Sequence, residues 1–379
     1  MNQLQSTWLV LALIFNLSSV PVATAQGTDG EIRIGWIGAL TGPVAKYGTH
    51  QAATLAVEDI NAEGGIRGRK LTLVTEDGQC KGPAAVAALR KLVSSDRVRF
   101  ILGGHCSPES LAIAPLLSNL NVLALAACST SPKLTGVSPN FVRLSPPSII
   151  VGDMLAATAF ADGRRRGAVI AEETDYAMPP AAHFKELFTR AGGVVADSFD
   201  FATADQDHRG LVSRIRALNV DGIYLGTQSK DTAILLVRQL RDQGVRLPIY
   251  GNEQVGNAPN GENSEIAKMF DGIVFADPEF DVATPKSAAF AKRYSDRFGT
   301  KGLPLGVWTA EAYDSVRLLA RAIAECGDEI AQVRECLIKT ENVEGVSGLV
   351  TILPNGDGAR RYVVKVVQSN GSAIVRRPS

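Results

Sequence analysis

The chain reads as an α/β protein built from two Rossmann-like lobes, and three observations carry that reading. After Asp29, short β-type runs alternate with amphipathic helical patterns, the mark of βαβ units around parallel sheets. The rhythm runs through one set of about 120 residues and then restarts, which suggests two similar lobes rather than one large sheet. Thirty-six glycines and 18 prolines among 379 residues supply the many turns that short elements need.

Ile32–Leu40 (IRIGWIGAL) is a nearly continuous apolar run and predicts a buried strand. Gln51–Asn61 is amphipathic and stops at Gly64-Gly65, a glycine C-cap signal. Lys70–Val74 alternates like a strand, and Pro83 opens the next helix where its missing N–H is harmless. Strand Val98–Leu102, helix Pro108–Asn119 and strand Val122–Ala126 complete the first set. The second set runs through helix Gly152–Ala161, strand Gly167–Ala171, helix Pro180–Ala191, strand Val194–Asp200 and helix Arg209–Leu218. Strand Val220–Leu225, helix Asp231–Gln243 and strand Leu247–Tyr250 follow. From about Asp277, helices Pro285–Phe298 and Thr309–Glu325 lead to a strand hairpin turning at Asn355-Gly356-Asp357-Gly358.

Composition narrows the function. The chain is 45% hydrophobic and 21% charged, ordinary for a globular protein. Lys+Arg and Asp+Glu both number 39, so no cationic excess points to nucleic acid. The first 25 residues carry no charge; Leu9–Leu17 is apolar but too short to span a bilayer, and Ala23-Thr24-Ala25 is a small-x-small cleavage pattern. Residues 1–25 therefore read as a signal peptide lacking the usual basic n-region, with Gln26 as the mature N-terminus and a periplasmic destination.

The five cysteines suit an oxidising compartment, and the odd number leaves one unpaired within the chain. Cys80 and Cys106 each follow a strand pattern; neighbouring parallel strands would bring both to one sheet edge, where a bridge stabilises by roughly 3 kcal/mol. Cys326 and Cys336 bracket CGDEIAQVREC and could tie one helix end to the next helix, which leaves Cys128.

Catalytic constellations are missing. Gly35-Trp36-Ile37-Gly38 lacks the third glycine of a dinucleotide fingerprint, and there is no GxxxxGK[ST]. The four histidines lie in no HExxH or CxxC context, and no serine sits in GxSxG. Neither an enzyme nor a cofactor or metal site is expected.

The loops beyond the strands' carboxyl ends, where open α/β sheets collect ligands, look occupied instead. They are Thr41–Gly48, Gly103–Pro108 and Cys128–Pro132 in the first lobe, and Thr174–Tyr176, Gly226–Gln228 and Gly251–Glu253 in the second. Hydroxyls beside proline-started helices suit an anion, and Glu253 in the opposite lobe suits an ammonium. Together they would suit a zwitterion.

IRIGWIGALTGPVAKYG, AVEDINAEGGIRGRKL, GGHCS, CSTSPKLT, LVSRIRALNVDGIYLG and GNEQVGNA carry a further signal. Over nearly the whole mature chain the sequence resembles the periplasmic substrate-binding proteins of branched-chain amino-acid ABC importers, the type I periplasmic binding proteins. The resemblance implies two lobes joined by three hinge crossovers that close on ligand. It implies a first lobe of residues 30–147 plus 277–351 and a second of 148–276 plus 352–375. A non-enzymatic, monomeric receptor is expected, with a free amino acid as ligand, a membrane permease as partner and no nucleic acid. The resemblance also implies the Cys80–Cys106 bridge. It places the ligand carboxylate on Ser107 and Thr130, and the ammonium on the Cys128 carbonyl and the Glu253 side chain. Tyr176 would cover the ligand and Tyr47 would touch its side chain. Gln228 stands where leucine-type receptors carry Tyr, and Cys128 replaces a small Ala, so leucine, isoleucine and valine are not simply inherited. The alternatives are a same-fold receptor for a non-amino-acid carboxylate or amide, such as an aromatic acid, or a ligand-sensing signalling module.

Overall fold

The computed structural model describes residues 30–42 and 44–376; the expected signal peptide lies outside these described residues. The first α/β set comprises β1 (Glu31–Gly38), α1 (Thr49–Ala62), β2 (Lys70–Asp77), α2 (Gly82–Ser94), β3 (Phe100–Leu102), α3 (Ser107–Ile113), β4 (Leu123–Ala126) and β5 (Phe141–Arg143). Its five strands form one parallel sheet in the order β2-β1-β3-β4-β5. Side chains alternate across β1: Ile32, Ile34 and Trp36 face α1 residues such as Ala52 and Ala56, whereas Ile37 meets Leu89 and Leu92 of α2. The glycine pair ends α1 as expected, since the Gly65 N–H reaches back 2.8 Å to the Ile60 carbonyl with both glycines at positive φ.

The second set adds α4 (Ile149–Ala161), β6 (Arg166–Glu172), α5 (Met178–Arg190), β7 (Val194–Phe201), α6 (Arg209–Ala217), β8 (Gly222–Gly226), α7 (Lys230–Asp242), β9 (Ile249–Gly251), α8 (Glu253–Gly256), α9 (Ser264–Phe270) and β10 (Val274–Pro278). The chain then returns to the first lobe with α10 (Pro285–Phe298), α11 (Val307–Cys326), α12 (Ile330–Ile338), β11 (Val343–Gly345), β12 (Gly348–Ile352) and β13 (Gly358–Ala359). It ends in the second lobe with β14 (Tyr362–Val367) and β15 (Ala373–Val375). The second sheet has the order β15-β14-β10-β9-β8-β6-β7, with β14 and β15 antiparallel.

Three crossovers join the lobes, after β5, β10 and β13. Ile352 and Val350 pack in the same core as α1 and α11, and β12 pairs with β13 through the expected turn. The last crossing therefore comes after Ala359, later than the expected 352, because β13 still needs β12 as its hydrogen-bonding partner. The second crossing likewise follows Pro278, because β10 stays paired with β14 to that residue.

Cys80 and Cys106 are bonded, with Cα atoms 5.3 Å apart. The reason is not the one expected: β2 and β3 are not neighbours but flank β1. Their loops still meet beyond its end, where buried Glu109 accepts the Cys80 and Cys106 N–H groups, each at 2.8 Å. Cys326 and Cys336 are bonded too, linking α11 to α12, and Cys128 is free.

At the hinge, α11 carries a buried ion pair. Glu311 Oε1 lies 2.7 Å from Arg360 Nε, with side chains 0% and 5% exposed. Arg360 stands in the third crossover, and the Ser145 hydroxyl of the first crossover donates to Glu311 Oε2 at 2.8 Å. The same hydroxyl lies 2.6 Å from the Ala127 carbonyl, one residue before the Cys128 loop, so its single proton is shared between the two acceptors. Arg143 holds that loop as well, through the Ser129 and Ser131 carbonyls, and pairs with Asp357 at 2.7 Å.

Candidate functional site

The carboxyl ends of both sheets face one another, and their loops line a narrow cavity with about 380 Å³ of space including open solvent. Tyr47, Ser107, Cys128, Tyr176 and Gln228, all expected at the site, line it. Thr130 and Glu253 do not reach its wall. Both are buried at its margin: the Tyr176 hydroxyl donates to Glu253 Oε2 at 2.9 Å and covers the carboxylate. The Thr130 hydroxyl has no hydrogen-bonding partner, and Glu253 Oε1 has no aligned one, although the Tyr362 hydroxyl lies near this carboxylate.

Local chain geometry explains these positions. Ser107 begins α3 immediately after the bridged Cys106, and its hydroxyl accepts the Ser131 N–H at 3.1 Å, which ties two first-lobe loops together. Its own proton stays free for an anion. Glu253 begins α8, whose N-cap Asn252 accepts the Val255 N–H and donates to the Thr227 carbonyl at 2.9 Å. That bond locks the Glu253 loop to the Gln228 loop.

Burial dominates the electrostatics. It pushes the Glu253 carboxyl up to about 7, although the Tyr176 and Tyr362 hydroxyls act the other way. It lowers His105 to about 4, so this ring is neutral, with Nδ1 3.0 Å from the Thr49 hydroxyl. The Cys128 thiol is raised well above its ordinary value, again by burial, and is therefore no thiolate nucleophile. The arrangement offers hydroxyls on one side, a carboxylate on the other and no activated nucleophile.

Six further wall residues were not expected as ligand contacts: Val44, His105 and Cys106, which lie in loops expected to be occupied, and Gln254, Leu305 and Trp308, which do not. Val44, Leu305 and Trp308 form an apolar cluster with Tyr47 and partly buried Cys128, whose Sγ lies 3.9 Å from the Trp308 carbonyl. A local signal for Trp308 existed: LPLGVW puts a proline and a glycine just before a long helix, an interrupted apolar segment at a helix start. α11 begins at Val307, two residues before the expected Thr309, so Trp308 sits in its first turn.

The lobes touch over the cleft. The Lys230 N–H donates to the Tyr47 hydroxyl at 3.0 Å, and its ammonium donates to the Pro304 carbonyl at 2.8 Å. Burial lowers this lysine to about 8. Lys46–Asp231 at 2.5 Å and Lys133–Asp175 at 2.9 Å add exposed ion pairs between the lobes. The conformation is closed.

Residues 31–372 match the family model described as periplasmic binding protein. A Leu/Ile/Val-binding protein of Rhizobium johnstonii is 29% identical, with 92% of this chain and 93% of that protein covered. A leucine-, isoleucine-, valine-, threonine- and alanine-binding protein of Pseudomonas aeruginosa is also 29% identical, over 78% of this chain and 79% of its own. The crystal structure of a leucine-binding protein from Thermotoga maritima superposes with a TM-score of 0.80 at 25% identity, covering 91% of this chain and 98% of that one. A solute-binding protein of R. palustris in complex with 4-hydroxybenzoate shares the fold, with a TM-score of 0.81 at 21% identity and coverage of 92% and 96%. The chain thus belongs to the periplasmic binding protein family, as a two-lobed α/β protein closed over its cleft.

Proposed function

We propose that this protein is an exported, monomeric receptor that binds a free α-amino acid between its lobes and delivers it to the membrane permease of an ABC importer. One observation carries the reading: a buried carboxylate, Glu253, keeps one oxygen without an aligned hydrogen-bonding partner at the cleft margin. An α-ammonium satisfies that oxygen, and the Ser107 and Thr130 hydroxyls suit the α-carboxylate. Charge-assisted hydrogen bonds are strong where water is excluded. The named relatives bind amino acids, which agrees with this chemistry. A thermal-shift screen of amino acids and small aromatic acids against the mature protein is the first test. An amino acid is expected to raise Tm through linkage; a rise with aromatic acids alone overturns the reading. That second reading draws on the apolar wall of Leu305, Val44 and Trp308, which a benzoate ring could also fill.

Two predictions refine the assignment. Ser107→Ala is expected to weaken an α-amino acid by about 1 kcal/mol, through loss of one anion donor. Calorimetry with the acid and its amide checks this, since equal binding of the two to the unmodified protein contradicts an anion site. The second concerns pH. An ammonium requires ionised Glu253, so with that group near 7 binding releases a proton in mildly acid solution. Affinity is expected to rise about tenfold per pH unit toward 7 and then level off. Calorimetry in buffers of different ionisation enthalpy detects the released proton; a flat profile between pH 5 and about 7 contradicts the role. In the unliganded protein the raised value works oppositely. The folded state binds more protons than the unfolded one between 4.5 and about 7, so the stability due to Glu253 falls as pH rises through that window.

A further inference from the structure

A second, larger cavity lies between the lobes outside the first, with about 1710 Å³ of space including open solvent. Val44 and Gln228 line both cavities and so stand between them. Glu172 terminates β6 on the second-lobe wall and is 0% exposed. Its Oε2 accepts the Gln228 N–H at 2.6 Å, while Oε1 has no aligned hydrogen-bonding partner. The nearby Thr203 hydroxyl favours the ionised form, but burial outweighs it and raises the carboxyl from its ordinary value. Gln228 Oε1, also buried, has no partner either. Both side chains line the outer cavity, and each keeps one acceptor oxygen without an aligned donor.

The charges around this wall point the same way. Glu173, Asp175 and Asp231 line the cavity beside Glu172. Asp175 and Asp231 already hold Lys133 and Lys46 across the lobes, so these two lysines are committed to the rim. Lys81 lies exposed on the opposite wall. Two buried acceptors call for a donor with more than one hydrogen: an ammonium, a guanidinium or a primary amide. An aliphatic group in the same place leaves both unsatisfied. A site built to receive N–H groups rejects ligands without them more strongly than an apolar pocket rejects a size mismatch.

We propose that the outer cavity is a second ligand subsite, in which Glu172 and Gln228 accept hydrogen bonds from the terminal ammonium, guanidinium or amide of a long ligand side chain. The proposal rests on the reading above, in which Glu253 takes the α-ammonium. In this arrangement the methylene stem passes beside apolar Val44, which borders both cavities, and the side-chain terminus reaches Glu172. The ligand class is thus an α-amino acid with an N–H-bearing side chain rather than an aliphatic one.

Calorimetry on the mature protein tests this with L-leucine, L-norleucine, L-lysine, L-arginine and L-glutamine. Norleucine is lysine without its terminal ammonium, so that pair isolates the outer contact. At least one of the three N–H-bearing ligands is expected to bind about tenfold or more tighter than norleucine. Glu172→Gln is expected to reduce that preference to about threefold or less while changing norleucine affinity less than about twofold. Gln228→Met provides a second probe should Glu172→Gln fail to fold, and is expected to reduce the preference in the same direction. Leucine or norleucine binding as tightly as all three polar ligands overturns the subsite and leaves the amino-acid reading standing. An unchanged preference in whichever of the two variants folds also overturns the subsite, since ordered water would then satisfy these acceptors. Binding of none of the five overturns both.

Discussion

Glu253→Ala is expected to weaken an α-amino acid by about 3 kcal/mol, a loss of roughly a hundredfold or more in affinity. The magnitude follows from burial. Glu253 is 1% exposed, so the ligand ammonium it faces is removed from water when the lobes close. Without the carboxylate that charge has no counter-charge, and leaving a buried charge uncompensated costs more than the net value of an exposed ion pair. Stability provides the control. Burial already opposes ionisation of Glu253 in the empty protein, so neutralising it removes a strained group. Glu253→Gln keeps an acceptor for the Tyr176 hydroxyl and is expected to lose the ligand while Tm stays within a few degrees of the parent. Calorimetry and thermal unfolding on the same samples check both halves. Undiminished affinity removes Glu253 from the site; a large fall in Tm means its role is structural.

The largest stability effect is expected at the hinge. Glu311→Ala leaves Arg360 buried without its partner and is expected to cost about 3–5 kcal/mol. Glu311 Oε1 and Arg360 Nε are close but poorly aligned for a hydrogen bond, so the contact is chiefly ionic. Arg360 also donates to the Ser347 carbonyl at 2.8 Å and hydroxyl at 2.9 Å, bonds that survive the substitution. Replacing both partners, as in Glu311→Leu with Arg360→Met, is expected to recover most of the loss, because a buried pair contributes little over a well-packed apolar one. Denaturant unfolding of the single and double variants checks the comparison. A double variant as unstable as the single one contradicts the account. Since Ser145 joins Glu311 to the Ala127 carbonyl, the single variant is also expected to weaken ligand binding through the Cys128–Thr130 loop.

Much of the fold was legible because its signals are local. The apolar run of β1, the Gly64-Gly65 stop after α1 and the proline starts of α2 and α10 each act within a few residues of chain. The hairpin at Asn355–Gly358 is equally local. Strand order is not. The first-lobe cysteines were expected to meet through neighbouring strands, but β1 lies between β2 and β3, and the bridge forms beyond its end. β5 and the short β11 have no distinct run amid their turns and tertiary pairing decided them, whereas β10 has a legible apolar run, Ile273–Ala276, that was not among the expected strands.

The candidate site divides in the same way. By itself the sequence determined which chemical groups stand at the strand ends: the Ser107 and Thr130 hydroxyls, the Glu253 carboxylate, the Gln228 amide and the Cys128 thiol. Each lies in a loop beyond a strand or at the first position of the helix that follows it. Only the tertiary structure decided which of them share a cavity and what covers them. Trp308 reaches the Cys128 loop from 180 residues away, and Tyr176 covers Glu253 from 77 residues away. Glu172, an ordinary strand end in sequence, becomes a buried acceptor only because Gln228, 56 residues on, folds against it. Burial and partnership depend on which loops the two sheets bring face to face, and that depends on packing contacts far apart along the chain.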